Sequence, residues 1–535
     1  MAVRQTTHEG GVRGTAAAPV AQSRRAAEPP QVAQPGGRPR ARGAALAVLC
    51  VAVLIVNLDN TILNVALPTL VRDLNASASS LQWIVDAYVM VFAGLLLPAG
   101  SLADKVGRKK TFLAGLAVFA AGSAWAAFSG SVAMLIAARA GMGIGGALLV
   151  PSTLSVINDM YRDPRERQRA ISLWAAITGL AVALGPIAGG LLLSRFWWGS
   201  VFLVNVPIAA AGLIAALWLV PDSRNDGAPA PDLLGGALSV TGIGLVLWAI
   251  IEGPTAGWAS GQVIGAGAAG LAVMAAFALW ERHSSRPMLN LSYFKNRAFG
   301  AAIPSVATVS FGLFGALFVL TQYLQFSLGY SPLQAGVRVL PAAAAVVLIA
   351  PVSAVGVRLA GPKLTMAAGL ALIAGGLWQV SGITAATGYA GIVPGMVLLG
   401  AGAGLALPTS SGSVIGAVPR ANSGVASATN TTAIQVGGAL GVAVVGSLLS
   451  TRYTGDIGAA LAGQHVPQAA MAAIQSSLGG ALEVAGRLPA ASGQVLAHAA
   501  RAAYASGLDL GMLTASGVAI GGFLVALCWL PRRPH

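Results

Sequence analysis

The sequence predicts an all-α integral membrane protein with about fourteen transmembrane helices. Three observations predict it. Of 535 residues, 56% are hydrophobic and only 9% charged, whereas an ordinary soluble domain carries about a quarter charged residues. The charges bound a series of uncharged runs, each near the roughly twenty residues that cross a hydrocarbon core as a helix. The third observation is an asymmetry: 25 of the 32 Lys and Arg fall on the side of the N-terminal tail, and only Arg72, Arg195, Arg452, Arg487 and Arg501 fall on the other. The positive-inside rule then makes both termini cytoplasmic. The 69 Gly and 28 Pro sit largely within the apolar runs, where membrane helices tolerate them.

Taken in order, residues 1–42 form a Pro- and Gly-containing tail with seven Arg and no apolar period, expected to be disordered. Span 1 lies between Arg42 and Arg72, span 2 between about Leu81 and Asp104, and span 3 after Lys110. A Phe128-Ser129-Gly130-Ser131 break leads into span 4, which runs through Arg139 to about Ile157. Arg169, Arg195 and Asp222 bound spans 5 and 6. Residues 221–232 read as a polar linker. Spans 7 and 8 fill about 233–251 and 262–280, and spans 9 and 10 about 299–326 and 334–357. The uncharged run from Leu364 to Pro419 holds spans 11 and 12, broken near Thr384–Ala390. Spans 13 and 14 take about 424–450 and 507–530, with a polar, Ala-rich, amphipathic segment expected outside at 452–505.

The net charge of +15 is accounted for by the loops that orient the chain and meet anionic lipid heads, so nucleic acid is not needed as a partner. Cys50 and Cys528 both lie in apolar runs, which indicates neither a disulfide framework nor a metal site. The five His form no cluster at ligand spacing. No G-x-x-x-x-G-K-[ST] loop is present, so the chain carries no sign of ATP-driven pumping.

Charges inside spans carry the functional reading, because such residues are costly and mark pathways or partners. Asp59 is the only charge between Arg42 and Arg72. Burial disfavours its charged form, which suits a group that binds and releases a proton; a structural acid held by Asn60 or Thr61 is the alternative. Arg139 needs a counter-ion, expected to be Asp59, and a purely structural pair remains open. Asp86, early in span 2, is either a second acid or an interfacial residue favoured by the helix dipole. Possible polar contacts for a substrate are Asn64, Tyr323, Gln325, Trp378 and Gln379.

Several segments carry a resemblance. Gly100-Ser-Leu-Ala-Asp104-Lys-Val-Gly107-Arg108-Lys109-Lys110 resembles the cytoplasmic signature of the major facilitator superfamily, with a faint echo at Arg358, Gly361 and Lys363. Gly179 followed by Gly185-Pro186-Ile-Ala-Gly189-Gly190 resembles the antiporter signature of its exporters. Leu58-Asp59-Asn60-Thr61-Ile-Leu-Asn64-Val-Ala-Leu-Pro68 resembles the first span of its fourteen-helix drug:proton antiporters. Arg139-Ala-Gly141-Met142-Gly143 is similar to the pattern R-x-x-Q-G, with Met142 in place of Gln. Phe202-Leu-Val-Asn205-Val-Pro207 adds to the likeness.

The resemblance implies a major facilitator fold: two six-helix bundles plus two inserted helices. The divisions would be a tail at 1–42, a bundle at 43–220, inserted helices and loops at 221–298, a second bundle at 299–530 that includes 452–505, and a tail at 531–535. It implies a proton-coupled antiporter, not an enzyme, in the cell membrane. That protein would use no cofactor, be driven by the proton gradient and export small amphipathic molecules as a monomer. Asp59, Arg139 and Asp86 would couple protons, and Gly100, Asp104, Gly107 and Arg108 would gate the cytoplasmic side by latching the two halves. An importer of a small metabolite and a non-transporting receptor or scaffold are the alternatives.

Overall fold

The computed structural model describes residue 10 and residues 39–161, 163–224, 231–284, 287–419, 423–462 and 466–531. Among them the chain is helical and has no strand. The first helices are α1 (Pro39–Leu74), α2 (Ala78–Val106), α3 (Arg108–Ala127), α4 (Val132–Met160) and α5 (Pro164–Arg195). Span 6 is broken into α6 (Ser200–Leu203) and α7 (Asn205–Leu219), and the inserted pair is α8 (Leu233–Ala256) and α9 (Gly261–His283). There follow α10 (Arg297–Gln322), closed by a π-helical turn at Tyr323–Ser327, then α11 (Pro332–Arg338), α12 (Leu340–Ser381) and α13 (Tyr389–Gly416). The last are α14 (Ser423–Ala460), α15 (Gln468–Ser476), α16 (Leu478–Arg487) and α17 (Ala490–Trp529).

The boundaries follow local chemistry. Ser77, Ser131 and Ser260 cap α2, α4 and α9 by accepting a backbone N–H two or three residues into the helix. Asp163 caps α5 and Pro164 opens it, the place where a missing N–H costs nothing. Gly107, at φ 121°, ends α2 and starts α3. Gly361, at φ 82°, breaks α12 into two helices. Both glycines sit in a backbone region that side chains disfavour, so the echo between the two loops extends to their turns.

Among the described residues, twelve helical segments are long and apolar enough to cross a membrane. One of them, Pro332–Ser381, has 50 residues and contains the break at Gly361. The tail expected at 1–42 is already helical from Pro39; its earlier residues, apart from residue 10, lie outside the described residues. So do most of 531–535 and residues 225–230 of the linker. Segment 452–505 is largely helical, and its central part forms two short amphipathic helices. α14 and α17 extend into it, and α15 and α16 fold back with Ile474, Leu478 and Ala481 buried. Tyr453 holds the turn between α15 and α16 by donating to the carbonyls of Ile474 (2.8 Å) and Ser477 (3.2 Å).

Helices α1–α7 pack on one another, as do α10–α17. The groups meet where α2 touches α14 and where α5 touches α11, and α8 lies against both α2 and α14. This seam is tight at the end remote from the basic loops. There Gln325 donates to the Val65 carbonyl at 2.9 Å. Ser447 meets Gln82 and donates to the Ile250 carbonyl at 2.7 Å. Gly479 of α16 is seated against Val71 and Phe326. At the opposite end, among the described residues, no hydrogen bond or ion pair joins the two groups.

Candidate functional site

The centre of the first helix group is an ion pair. Helix α1 carries Asp59 past its midpoint, turned toward α4 and α7, and the carboxylate is 1% exposed. Arg139 of α4, 0% exposed, pairs through Nη1 with Asp59 Oδ2. Asn205, the first residue of α7, donates from Nδ2 to the other carboxylate oxygen at 3.0 Å. Arg139 Nε donates to the Ile84 carbonyl of α2 at 3.1 Å, and the guanidinium lies over the Tyr88 ring, 4.4 Å from its centroid. Four helices thus converge on one pair. A buried charge is tolerated only with this kind of pairing and hydrogen bonding.

The pair is incompletely satisfied. Arg139 Nη2 has no partner among the described residues. Met142, standing where the resembled pattern has Gln, brings only its sulfur to 3.9 Å from Nη1. A thioether is a weak acceptor, so the substitution leaves a donor of the guanidinium unanswered. Asn205 is a member of the site to which sequence reasoning gave no role. Its segment, Phe202–Pro207, was noticeable, but a neutral amide in an apolar helix carries no electrostatic anomaly.

Asp86 lies inside the protein. It is 0% exposed, and neither carboxylate oxygen has a partner among the described residues. It lies four residues after Gln82, on the same face of α2, and Gln82 meets Ser447 of α14. Asp86 therefore shares the face turned toward the second helix group and does not join Arg139, which is reached by Ile84 and Tyr88 from another face. Asp86 is the ninth residue of α2, and α14 of the second group packs against this helix.

The basic loop ties one group together without reaching the other. Arg108 Nε donates to Asp104 at 2.9 Å, Nη1 to the Ser155 carbonyl at 3.3 Å, and Asp159 lies 3.6 Å away. The Arg108 N–H donates to the Ser223 carbonyl at 2.9 Å, and Lys109 to that of Leu217 at 2.8 Å. Gly107 makes the turn, and Gly100 packs toward Pro151. Among the described residues, the bonds of Asp104 and Arg108 stay within α2, α4 and the chain after α7, and none reaches the second group.

The glycines of α5 form contact faces. A Cβ at Gly185 would strike Thr61, and one at Gly189 would press on Ile62, both on α1 and close to Asp59. Gly190 faces Pro332 and Leu333 of α11, while the Pro186 carbonyl abuts Gly336. The surroundings of Gly179 lie outside the described residues.

The structure gives the five substrate-contact candidates different surroundings. Trp378 of α12 is 68% exposed. Tyr323 is buried and donates to the carbonyls of Thr384 (2.8 Å) and Thr387 (2.9 Å), which fastens the turn before α13. Gln379 is taken up by the Gly391 carbonyl. Asn64 is bonded within α1, and Gln325 crosses to Val65 in the tight seam. An apolar run has no alternation to tell a lipid face from a cleft face, so the sequence could not assign these surroundings.

A family model described as Major Facilitator Superfamily matches residues 49–442. The multidrug efflux pump LfrA of Mycolicibacterium smegmatis is 39% identical over 468 residues, covering 87% of this chain and 91% of the relative. The tetracenomycin C resistance and export protein of Streptomyces glaucescens is 34% identical over 495 residues, covering 91% and 92%. Among solved structures, a bacterial homolog of the human lysosomal transporter Spinster, in an inward-facing and unoccupied conformation, aligns with a TM-score of 0.61 over 92% of this chain and 98% of that one. At 16% identity it shares the fold.

Proposed function

Because the chain belongs to the Major Facilitator Superfamily, we propose that this membrane transporter exports small amphipathic drugs or antibiotics in exchange for protons. The observation that carries the reading is the buried pair of Asp59 and Arg139, with Asn205 on the second carboxylate oxygen. The direction of transport is supported by relatives named for multidrug efflux and antibiotic export. In this reading fourteen helices cross the membrane with both termini cytoplasmic. Residues 43–220 and 299–530 are the two halves, and 221–298 is the insertion. The monomer is the working unit.

The chain's own residues suggest the cycle. Arg139 and Asn205 hold Asp59 charged while the seam is closed on the outer side. Protonation of Asp59 from outside cancels the charge that holds α1 against α4, and the freed guanidinium shifts toward its neighbours Tyr88 and Ile84. Gly185 and Gly189 place α5 directly on that stretch of α1. Gly190 and Pro186 place α5 against α11, so rearrangement at Asp59 is transmitted to the contact between halves. Asp86 is a second acid, on the α2 face covered by α14, that becomes available when this contact parts. Substrate entering from the cytoplasmic side favours deprotonation of Asp59 and the return, the alternating-access scheme of such transporters. Each net charge moved gains about 2.3 kcal/mol per 100 mV of membrane potential.

The test is efflux from energised vesicles. Asp59→Asn is expected to insert normally and to lose uphill export of a fluorescent amphipathic cation. Full uphill export by this variant would refute proton coupling through Asp59, and proton-driven accumulation in the opposite direction would establish an importer instead.

A further inference from the structure

A second feature lies at the end that carries the basic loops. A cavity of about 360 Å³ opens where the start of α1, the end of α4 and the start of α5 converge. Its rim holds Arg42, Arg169 and Glu166, and its floor includes Leu46 and Leu173. Arg42 is the last charge before the uncharged run 43–58, and Arg169 the last before 170–194. Both guanidiniums therefore stand at the boundary between water and hydrocarbon. Among the described residues, neither they nor Glu166 has an ion-pair partner. The Tyr161 hydroxyl donates to the Arg42 carbonyl at 3.3 Å, fixing the end of α4 to the start of α1. Leu173 opens onto Leu180 and Leu184, exposed at helical spacing along the same face of α5.

We propose that this cavity binds the phosphodiester headgroup of an anionic phospholipid from the leaflet facing the basic loops, with an acyl chain along the leucine stripe of α5. Two unpaired guanidiniums against one carboxylate leave a net positive rim, and guanidinium matches phosphate oxygens in bidentate geometry. The apolar floor continues into hydrocarbon, which suits an amphiphile and gives nothing to a free anion. Basic pockets between helices on this side of a membrane protein have the chemistry of lipid headgroup sites. The occupant would bridge the starts of α1 and α5, the two helices that pack together at Asp59.

Native mass spectrometry of the full chain, with phosphatidylglycerol or phosphatidylethanolamine added, tests this. Wild type is expected to retain phosphatidylglycerol about thirtyfold more strongly, the scale of about 1 kcal/mol from each of two interfacial Arg. Arg42→Gln with Arg169→Gln should lose the preference, while Arg42→Lys with Arg169→Lys keeps most of it. Inorganic phosphate should not displace the lipid. Equal retention of the two lipids by wild type would overturn the proposal, and that comparison needs no variant. So would an unchanged preference in the Gln variant, or displacement by inorganic phosphate, which would make the occupant a free anion. Thermal unfolding in phosphatidylethanolamine alone, matched between wild type and the Gln variant, shows that a lost preference is not misfolding.

Discussion

At the scale of single residues, Asp59 and Arg139 are held by neighbours as much as by each other. Asn205 fixes one carboxylate oxygen, Ile84 and Tyr88 fix the guanidinium, Met142 offers Nη1 only a sulfur, and Nη2 has no partner among the described residues. Removing one member of a buried pair strands the other charge, at about 3–5 kcal/mol. Arg139→Ala is therefore expected to lower the thermal inactivation temperature markedly in detergent, and a variant as stable as wild type would show that the pair does not form. Asp59 and Arg139 were legible in the sequence because a charge inside an apolar run is an anomaly. Asn205 was not, being neutral. Asp86 was visible as an acid, but its burial depends on α14, some 350 residues away in the chain, and no local pattern reports that.

At the scale of elements, α5 is the link between the pair and the seam. Its glycines replace side chains with direct contact: Gly185 and Gly189 on α1, Gly190 on α11. Small residues let membrane helices approach this closely. Gly190→Leu would force α5 off Pro332 and Leu333. Transport is expected to fall at least about fivefold, since overpacking costs roughly 1–3 kcal/mol, with membrane insertion retained; unchanged transport would separate this contact from the cycle. The motif itself was readable as a pattern of glycines. Which helix each glycine meets was not, because spacing states only that a face is small. The breaks at Gly107 and Gly361 were foreseen as loops, whereas the continuation of α14 and α17 beyond the expected spans was hidden by the polar, Ala-rich composition of 452–505, which suits a helix in water equally well.

At the scale of the whole molecule, the two helix groups are hydrogen-bonded to each other at one end, and at the other no hydrogen bond or ion pair joins them among the described residues. Run lengths and charge asymmetry were enough to foresee a helical, multi-pass membrane chain. They carry no information on which state of the cleft the chain adopts, since that is set by contacts between residues hundreds of positions apart. Gly479 on α16 and Val71 on α1 touch across the closed end. Cysteines at both positions, in a Cys528→Ser background, are expected to cross-link under mild oxidation and to stop transport until reduced. Efficient transport by the cross-linked protein would mean that this end never opens.

The central claim is that substrate binding expels a proton from Asp59. The most direct measurement adds a transported drug to the purified protein in weakly buffered solution and follows the pH with an indicator dye. The account predicts proton release with wild type that disappears in Asp59→Asn while drug binding persists. Equal release by the variant, or binding without release by wild type, would contradict it.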